Sequence, residues 1–469
     1  MGKIIDEILG EIISLFQVGK TDNLLIKRTI SKGYSGAEVY LIELKGESIY
    51  KGNFFLKIDL DGQEYENAEN GYCFSKVARI VKLHKIQEYY VMLMEIAGKS
   101  LIEYQAFYEL EGVVERKNAI EKILFDILCE ETKDKKYVVG DIVATDLFKK
   151  HLSTKIEKNS ALRKYLDSIT RDKEVENVTG FLFPKDIVLP NALAYALNDS
   201  LWEDKQISNM SCYVHGDLHG DNVFYCNREC DYALIDLALY HADGYIFFDT
   251  AYFELSLLLH DFLNIENIQW ISRLCQMADK QWNLIDCNDK QVLWSIQECE
   301  ERWIIEQCDE KFNYKDNLFE SQYVARVLVG LNYAGKRSVN EETRRKAFLY
   351  ACVYMKKLLE LKHIANYSQE TIEWNEIGSL SSNNEISKFL SDVDYFSNSQ
   401  KYILVLGNEY DYEENVCEAL SRIEWAGIVS FKRKEGIENI LKKYKLFRGI
   451  ISLCERVAAS GNTSILLSA

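Results

Sequence analysis

Three polar side chains near the middle of the chain have the types and spacing that phosphate chemistry requires. Asp217 and Asn222 lie in a loop that reads HGDLHGDN, and Asp236 ends the second strand of the predicted hairpin that follows. A carboxylate can accept the proton of an attacking hydroxyl, while an amide and a second carboxylate can hold Mg²⁺ beside the phosphates being cleaved. We therefore predict that Asp217 is catalytic and that Asn222 and Asp236 bind the metal.

Two histidines in the same loop raise an alternative. His215 and His219 are four positions apart, a spacing that on a helix would suggest a zinc pair. However, no glutamate lies between them in the HExxH manner, and no third ligand follows at a useful distance. Zinc is therefore the poorer interpretation. A chance hairpin with solvated acids at its ends is the remaining alternative to phosphate chemistry.

The order of these motifs resembles the catalytic and metal loops of the protein-kinase-like superfamily. Because the first motif reads His-Gly-Asp instead of His-Arg-Asp, the closer likeness is to the aminoglycoside and choline phosphotransferase branch. The segments SGAEVYLIEL, LIDLA and VGLNYAGKR also resemble the kinase-like domain of bacterial conflict proteins. The likeness covers about residues 25 to 366. It implies an α+β bilobal fold, a buried orienting role for His215, and ATP with Mg²⁺ as cofactors.

The metal motif departs from the protein-kinase pattern. Asp236 is followed by Leu-Ala where protein kinases have Phe-Gly, which puts a phenylalanine-flip activation switch in doubt. Gly220 and Asp221 replace the proline that is common in the catalytic loop. Neither departure removes a catalytic atom.

Lys57 lies in the apolar strand FFLKI, where a buried ammonium is costly unless it finds a partner. The resemblance implies that nucleotide phosphates and a carboxylate from the following helix are those partners. The segment DGQEYENAENGYCFSKVARIV is predicted to be that helix and offers Glu64, Glu66 and Glu69, of which we favour Glu66 or Glu69. The alternative is that Lys57 extends into solvent from a sheet edge.

Two further contacts to the nucleotide are predicted. Gly33 and Gly36 would let the backbone amides of a hairpin turn approach a phosphate, although two-glycine turns are usually only turns. The resemblance places the link between the lobes at Glu95, Ile96 and Ala97, where main-chain groups would face the adenine edge.

Two acidic features outside the central motif each allow two interpretations. Asp249 near the start of an apolar helix either anchors the catalytic-loop backbone, as the resemblance implies, or complements the helix dipole. The helix QVLWSIQECEERWIIEQ could receive a cationic amine through its acids, but a charged helical face is usually only solvated. These acids are Glu298, Glu300, Glu301 and Glu306.

The composition limits the classes of partner. A net charge of -17 makes broad binding to a nucleic-acid backbone unexpected, although nucleic acid is not excluded as a substrate. No apolar run approaches the roughly 20 residues that a membrane-spanning helix needs. With 12 scattered cysteines and no secretory signal, we expect reduced thiols and a cytoplasmic protein.

The 469 residues suggest several domains. We predict a small sheet-rich N-lobe over 1–98, a helical C-lobe over 99–370, a Ser/Asn-rich linker over 371–400, and a small α/β unit over 401–469. The chain stops on an apolar strand, which suggests that the last unit is incomplete here or continues in a longer protein.

These features predict a phosphotransferase that moves the γ-phosphate of ATP to a hydroxyl of a small molecule. A protein or RNA kinase is one alternative, and an ATP-binding regulatory module of a bacterial defence protein is another. A third is that the α/β unit carries the main activity and the kinase-like part is a sensor.

Overall fold

The chain divides into two compact units, Met1–Trp374 and Asn375–Ala469. In the computed structural model, the described residues all belong to the first unit. They are 8, 10–12, 14, 23–32, 37–45, 52–95, 103–132, 138–170, 173–202, 206–285, 290–307 and 315–374. The predicted α/β unit over 401–469, and the predicted linker from residue 375 onward, lie outside them.

The N-lobe is a five-stranded antiparallel sheet in the order β1-β2-β3-β5-β4. A single short helix, α1, lies between β3 and β4 in sequence. The elements are β1 (Asn23–Lys32), β2 (Glu38–Lys45), β3 (Gly52–Asp59), α1 (Gln63–Asn70), β4 (Arg79–Ile86) and β5 (Tyr89–Glu95).

The alternation of side chains along β3 decides which residues face the rest of the first unit. Leu56 and Ile58 belong to an apolar cluster on one side of the sheet. Phe55 faces the other way, where its ring packs edge-on against Phe224 at 4.8 Å between centroids. Because side chains in a strand alternate with period two, Lys57 shares the face of Phe55. The strand therefore directs its buried lysine toward the second lobe.

The C-lobe is built mainly from helices. They are α2 (Val113–Thr132), α3 (Ala144–Leu152), α4 (Ala161–Thr170), α5 (Ala192–Leu197), α6 (Phe248–Phe262), α7 (Asn267–Ala278), α8 (Lys290–Gln307), α9 (Lys315–Gly335) and α10 (Glu341–Leu361). Among the described residues, no helix is both long and apolar enough to cross a membrane.

Short strands form three small sheets within this lobe. The strands are β6 (Gln105–Ala106), β7 (Val138–Val143), β8 (Gly180–Phe183), β9 (Ile187–Pro190), β10 (Gln206–Val214), β11 (Val223–Cys226), β12 (Asp231–Leu234), β13 (His241–Tyr245) and β14 (Thr371–Glu373). Strands β11 and β12 form the hairpin between Asn222 and Asp236, and β11 also pairs with β6. Strand β14 lies parallel to β8.

The predicted fold class is confirmed for the first unit, in which a sheet-rich lobe precedes a helical lobe. One local expectation differs. The segment predicted to form a single long helix after β3 is helical only over Gln63–Asn70, because Gly71 has a φ of +81° and ends the helix. The chain then enters β4 at Arg79.

Candidate active site

The structure brings Lys57 together with two carboxylates. Its Nζ lies 2.7 Å from Glu64 Oε2 and 2.6 Å from Asp236 Oδ1, while Asp59 Oδ2 is farther away at 3.5 Å. The lysine is only 1% exposed. Burial opposes its charge, but Glu64 and Asp236 outweigh that effect and raise the pKa of Lys57 above its ordinary value. The ammonium is therefore fixed in its charged form at the junction of the two lobes.

The helix carboxylate that pairs with Lys57 is Glu64, which corrects the preference for Glu66 or Glu69. Since α1 begins at Gln63, Glu64 belongs to its first turn and is buried, at 3% exposure. Glu66 and Glu69 are exposed, and Glu69 accepts a hydrogen bond from Tyr65 at 2.5 Å. The physical reason is the helical period, which turns positions 66 and 69 away from the sheet.

Hydrogen bonds join α1 directly to residues 236–238, the predicted metal loop. Glu64 Oε1 accepts from the N–H of Leu237 at 3.1 Å. The amide of Asn67 donates to the carbonyl oxygens of Leu237 and Ala238 at 2.9 and 3.1 Å. Asp236 itself has a φ of +61°, in the left-handed region that non-glycine residues seldom adopt. The loop is thus held in a defined backbone conformation by the helix that pairs with Lys57.

Asp249 anchors the backbone of residues 215–222, the predicted catalytic loop. Its carboxylate accepts hydrogen bonds from the N–H groups of His215 and Gly216, the latter at 2.9 Å, and it is fully buried. Gly216 has a φ of +84°, and a Cβ there would lie 2.5 Å from the carbonyl oxygen of Leu239. Only glycine fits at this position of the His-Gly-Asp motif. Of the two interpretations of Asp249, these contacts favour the anchor.

His215 connects the catalytic loop to the metal loop. Its Nε2 lies 3.0 Å from the carbonyl oxygen of Ile235, and its Nδ1 accepts from the N–H of Asp217 at 3.3 Å. Acceptance at Nδ1 requires Nε2 to carry the proton and donate it. The buried ring therefore positions the loop and takes no part in a zinc pair with His219.

Asp217 lies beside two groups that the sequence analysis did not single out. Its Oδ1 accepts a hydrogen bond from Lys336 Nζ at 2.9 Å and another from the phenol of Tyr252. Burial works against the charge of Asp217, but Lys336 and His219 outweigh it, so the pKa of this carboxyl lies below its ordinary value. Asp217 is consequently ionised at neutral pH.

His219 lies between two carboxylates. Its Nε2 is 3.7 Å from Asp217 Oδ2, and its Nδ1 is 3.9 Å from Asp221 Oδ2. Burial lowers the pKa of the imidazole despite these acids. The neutral ring can therefore accept or donate a hydrogen bond within the cavity without adding a fixed charge.

The donor atoms near Asp236 suit Mg²⁺. Asn222 is 3% exposed and uses its Nδ2 to donate to the carbonyl of Asp217 at 2.9 Å, so its Oδ1 is the atom left for a cation. One amide and one carboxylate oxygen match the few protein ligands that Mg²⁺ takes when phosphates and waters complete its shell. No cluster of three or more His, Cys, Asp or Glu side chains able to hold a metal occurs among the described residues.

A cavity of about 530 Å³ lies beside the three predicted catalytic and metal-binding residues. Asp217, Asn222 and Asp236 line it together with three cationic side chains, Lys155, Lys336 and Arg337. The sequence gives no local signal for Lys336, which follows a helix in the VGLNYAGKR segment and is 119 positions from Asp217.

The other predicted nucleotide contacts are only partly described. Gly33, Gly36, Ile96 and Ala97 lie outside the described residues. Glu95 ends β5, where its side chain forms an ion pair with Arg79. Because its side chain is engaged in this ion pair, the predicted contact with the adenine edge concerns the main-chain groups of Glu95.

Two of the four acids of α8 have cationic partners within the protein, whereas Glu298 and Glu306 are exposed. Glu300 is fully buried and pairs with Arg326 at 2.9 Å, and the same guanidinium pairs with Glu254 at 2.8 Å. Glu301 pairs with Lys280 at 2.5 Å. Glu300 therefore belongs to the helical core. The sequence had suggested either a solvated position or a site for a cationic amine, and this role differs from both.

Comparisons with known proteins identify similar solved structures. No family model matches the chain, and no curated protein matches it. The chain is similar to an aminoglycoside-3'-phosphotransferase of type VIII, with 16% identity and a TM-score of 0.34, over 63% of this chain and 99% of that one. It is also similar to a protein of Ralstonia eutropha JMP134, provisionally named an aminoglycoside phosphotransferase, with 13% identity and a TM-score of 0.36, over 75% of this chain and 98% of that one. The assignment of an activity therefore rests on the geometry of the site.

Proposed function

We propose that this chain is an ATP- and Mg²⁺-dependent phosphotransferase of the cytoplasm that transfers the γ-phosphate of ATP to a hydroxyl of a small molecule. The observation that carries the proposal is the ion pair between Lys57 and Asp236, which come from different lobes. Asp236 lines one cavity together with Asp217 and Asn222. A phosphotransferase needs this set of groups in one place, because its catalysis is mainly alignment and charge stabilisation.

Each residue of this set has a distinct role. Glu64 holds the Lys57 ammonium where it can contact the phosphates of ATP. Mg²⁺ bound by Asn222 and Asp236 would neutralise the charge that develops on those phosphates. Asp217 orients the acceptor hydroxyl and takes its proton as the new P–O bond forms. The bond to the bridging oxygen breaks, and ADP leaves with the electron pair of that bond.

Lys336 is a positioning residue for Asp217 in this proposal. Its ammonium and the Tyr252 phenol both bind Oδ1, so that Oδ2 remains to receive the hydroxyl proton. The lowered pKa makes Asp217 a weak base. A weak base is sufficient when the transition state is loose and the proton moves late.

The cavity favours a small acceptor over a macromolecule. Its volume of about 530 Å³ falls within the range of about 300–1,000 Å³ that is usual for small-molecule sites. The direct test incubates the purified chain with [γ-³²P]ATP, Mg²⁺ and a panel of small alcohols or a cell lysate. Label on a small molecule supports the proposal, and label confined to protein or RNA would redirect it to those acceptors. ATP and Mg²⁺ that stabilise the chain without any transfer would favour the regulatory alternative.

A further inference from the structure

The connection between α9 and α10 carries Lys336, whose ammonium binds Asp217. Helix α9 ends at Gly335 and α10 begins at Glu341, so the connection spans residues 336–340, which we call the Lys336 turn. A lysine side chain is a flexible four-carbon stem, so the place of its ammonium depends on where its main chain is held. The contacts that fix the Lys336 turn therefore decide whether the pair with Asp217 forms.

A buried arginine binds the carbonyl oxygens of this turn. The guanidinium of Arg344 donates hydrogen bonds to the carbonyls of Lys336 and Val339, each at 3.1 Å, and to that of Ala334 in the last turn of α9. Carbonyl groups at the C-terminal end of a helix have no partner within the helix. A planar guanidinium with five N–H donors can bind several of them. One side chain thus joins the end of α9 to two positions of the Lys336 turn.

The position of Arg344 in its own helix is an unfavourable one for a cation. It is the fourth residue of α10, whose first two residues are Glu341 and Glu342. The positive end of the helix dipole lies at this end and stabilises acids. Arg344 is also only 8% exposed, and burying a charge costs free energy unless the group is hydrogen-bonded. Its hydrogen bonds to the preceding turn therefore account for an arginine at this place.

The residue before Lys336 is packed equally closely. A Cβ on Gly335 would lie 2.7 Å from the Cβ of Lys155 and 3.0 Å from its carbonyl oxygen. Lys155 and Lys336 line the cavity beside Asp217, whereas Arg344 lies outside its lining. Arg344 can therefore influence that cavity only through the turn that it binds.

From these contacts, and resting on the proposed function, we infer that Arg344 is a positioning residue that holds the Lys336 turn where the Lys336 ammonium reaches Oδ1 of Asp217. Without the guanidinium, three carbonyl oxygens lose their donor, and the turn shifts to bring them to water. Lys336 then moves away from Asp217. The Tyr252 phenol remains as a single donor to the carboxylate, which is no longer held from two sides.

The first test requires no catalysis and measures the reactivity of lysine amines in the full chain. An acetylating reagent modifies amines, and mass spectrometry gives the rate at each lysine. An ammonium that is hydrogen-bonded to a carboxylate reacts slowly, because only the free amine is nucleophilic. We expect Lys336 to react about tenfold faster in Arg344→Met than in the wild type, since its hydrogen bond to Asp217 is lost. The buried Lys57 should stay slow, and the exposed Lys158 should react equally in both proteins.

Equal rates at Lys336 in the two proteins would overturn the inference. A matching rise at Lys57 would also overturn it, because Arg344 would then support the whole fold and not this turn. Arg344→Lys is a milder variant that keeps the charge without the planar set of donors, and it should accelerate the reaction of Lys336 to a smaller extent. The matched control is Arg345→Met, because the guanidinium of Arg345 pairs with Glu342 on its own helix, and it should leave the rate at Lys336 unchanged.

The second test follows phosphate transfer. Arg344→Met should move the acid limb of kcat/KM to higher pH, as Lys336→Met does, because Asp217 loses the same cation. The double variant should move it no further than Lys336→Met alone, since both changes act through one ammonium. Additive shifts would overturn the inference and leave the proposed function intact. If the chain transfers no phosphate, the proposed function fails, and the reactivity of the Lys336 amine still decides the inference.

Discussion

Lys336 donates a hydrogen bond of 2.9 Å to Oδ1 of Asp217, although 119 positions separate the two residues in sequence. The Tyr252 phenol binds the same oxygen. Since both donors lie on the Oδ1 side, the carboxylate is held in one orientation. This pair links the catalytic loop to the end of α9 and makes the charge state of Asp217 depend on a distant part of the chain.

Replacing Asp217 by asparagine should abolish most phosphate transfer and leave nucleotide binding intact. The amide keeps the shape of the side chain but cannot accept the hydroxyl proton, so we expect kcat to fall about 10²–10⁴-fold. Steady-state kinetics and ATP titration would measure the two quantities. Asp146→Asn, at an exposed position of α3, is the control and should retain full activity. An Asp217→Asn enzyme with normal kcat would contradict the assigned role.

Removing the charge of Lys336 should move the acid limb of the pH–rate profile to higher pH. Lys336 is the largest of the influences that lower the pKa of Asp217 from its ordinary value of 3.8, while burial acts in the opposite direction. In Lys336→Met, fewer groups oppose the effect of burial, so we expect the pKa of Asp217 to rise and kcat/KM to be lost at a pH about 1–2 units higher. The control Lys149→Met removes an exposed lysine and should leave the profile unchanged. An unshifted acid limb in Lys336→Met would show that the two groups are not coupled.

Glu64, rather than Glu66 or Glu69, should control nucleotide binding. Glu64→Gln removes one anionic partner of the buried Lys57 ammonium and leaves Asp236, so we expect a stability loss of up to about 3 kcal/mol and a higher KM for ATP. The same change at Glu66, which is exposed on the same helix, should alter stability by less than about 0.5 kcal/mol. Urea unfolding and ATP kinetics of both variants test the prediction. Equal effects at the two positions would be incompatible with the observed ion pair.

Asp249 and Glu131 are neighbouring buried acids that should respond oppositely to amide substitution. Asp249→Asn removes the charged acceptor of two backbone N–H groups and should cost about 2–4 kcal/mol. Burial and the charge of Asp249 raise the pKa of Glu131 well above its ordinary 4.5, so folding favours the protonated form of Glu131. A carboxyl group whose pKa is raised by folding stabilises the folded state at low pH. This stabilisation is lost as the pH rises through the raised pKa.

The wild type should therefore lose stability relative to Glu131→Gln as the pH rises above about 5 toward that raised pKa. Unfolding curves measured at several pH values would show the two stabilities diverging. Parallel curves for the wild type and Glu131→Gln would mean that Glu131 is ionised in the fold.

Some parts of the candidate site can be predicted from the sequence because they depend on short, local patterns. The motifs around Asp217, Asn222 and Asp236 are local, since the residues lie on one loop and one hairpin, so their spacing predicts that they lie close together. The period-two pattern of β3 likewise predicts that Lys57 shares the face of Phe55.

Glu64 and Lys336 show where local patterns are insufficient. The choice among three glutamates depends on where α1 begins, because a shift of two residues turns a different carboxylate toward the sheet. Lys336 is brought to Asp217 by the packing of Gly335, at the end of α9, against Lys155. No short sequence motif predicts that contact. The fold class follows from element types, whereas these contacts follow from tertiary packing.

Helix α1 and the segment after Asp236 are joined by hydrogen bonds from Leu237 to Glu64 and from Asn67 to the carbonyls of Leu237, Ala238 and Tyr240. An outward shift of the helix would therefore disturb both the Lys57–Glu64 pair and the backbone that follows Asp236. Under the proposed function, ATP binding and Mg²⁺ binding would therefore be weakened together by any movement of this helix.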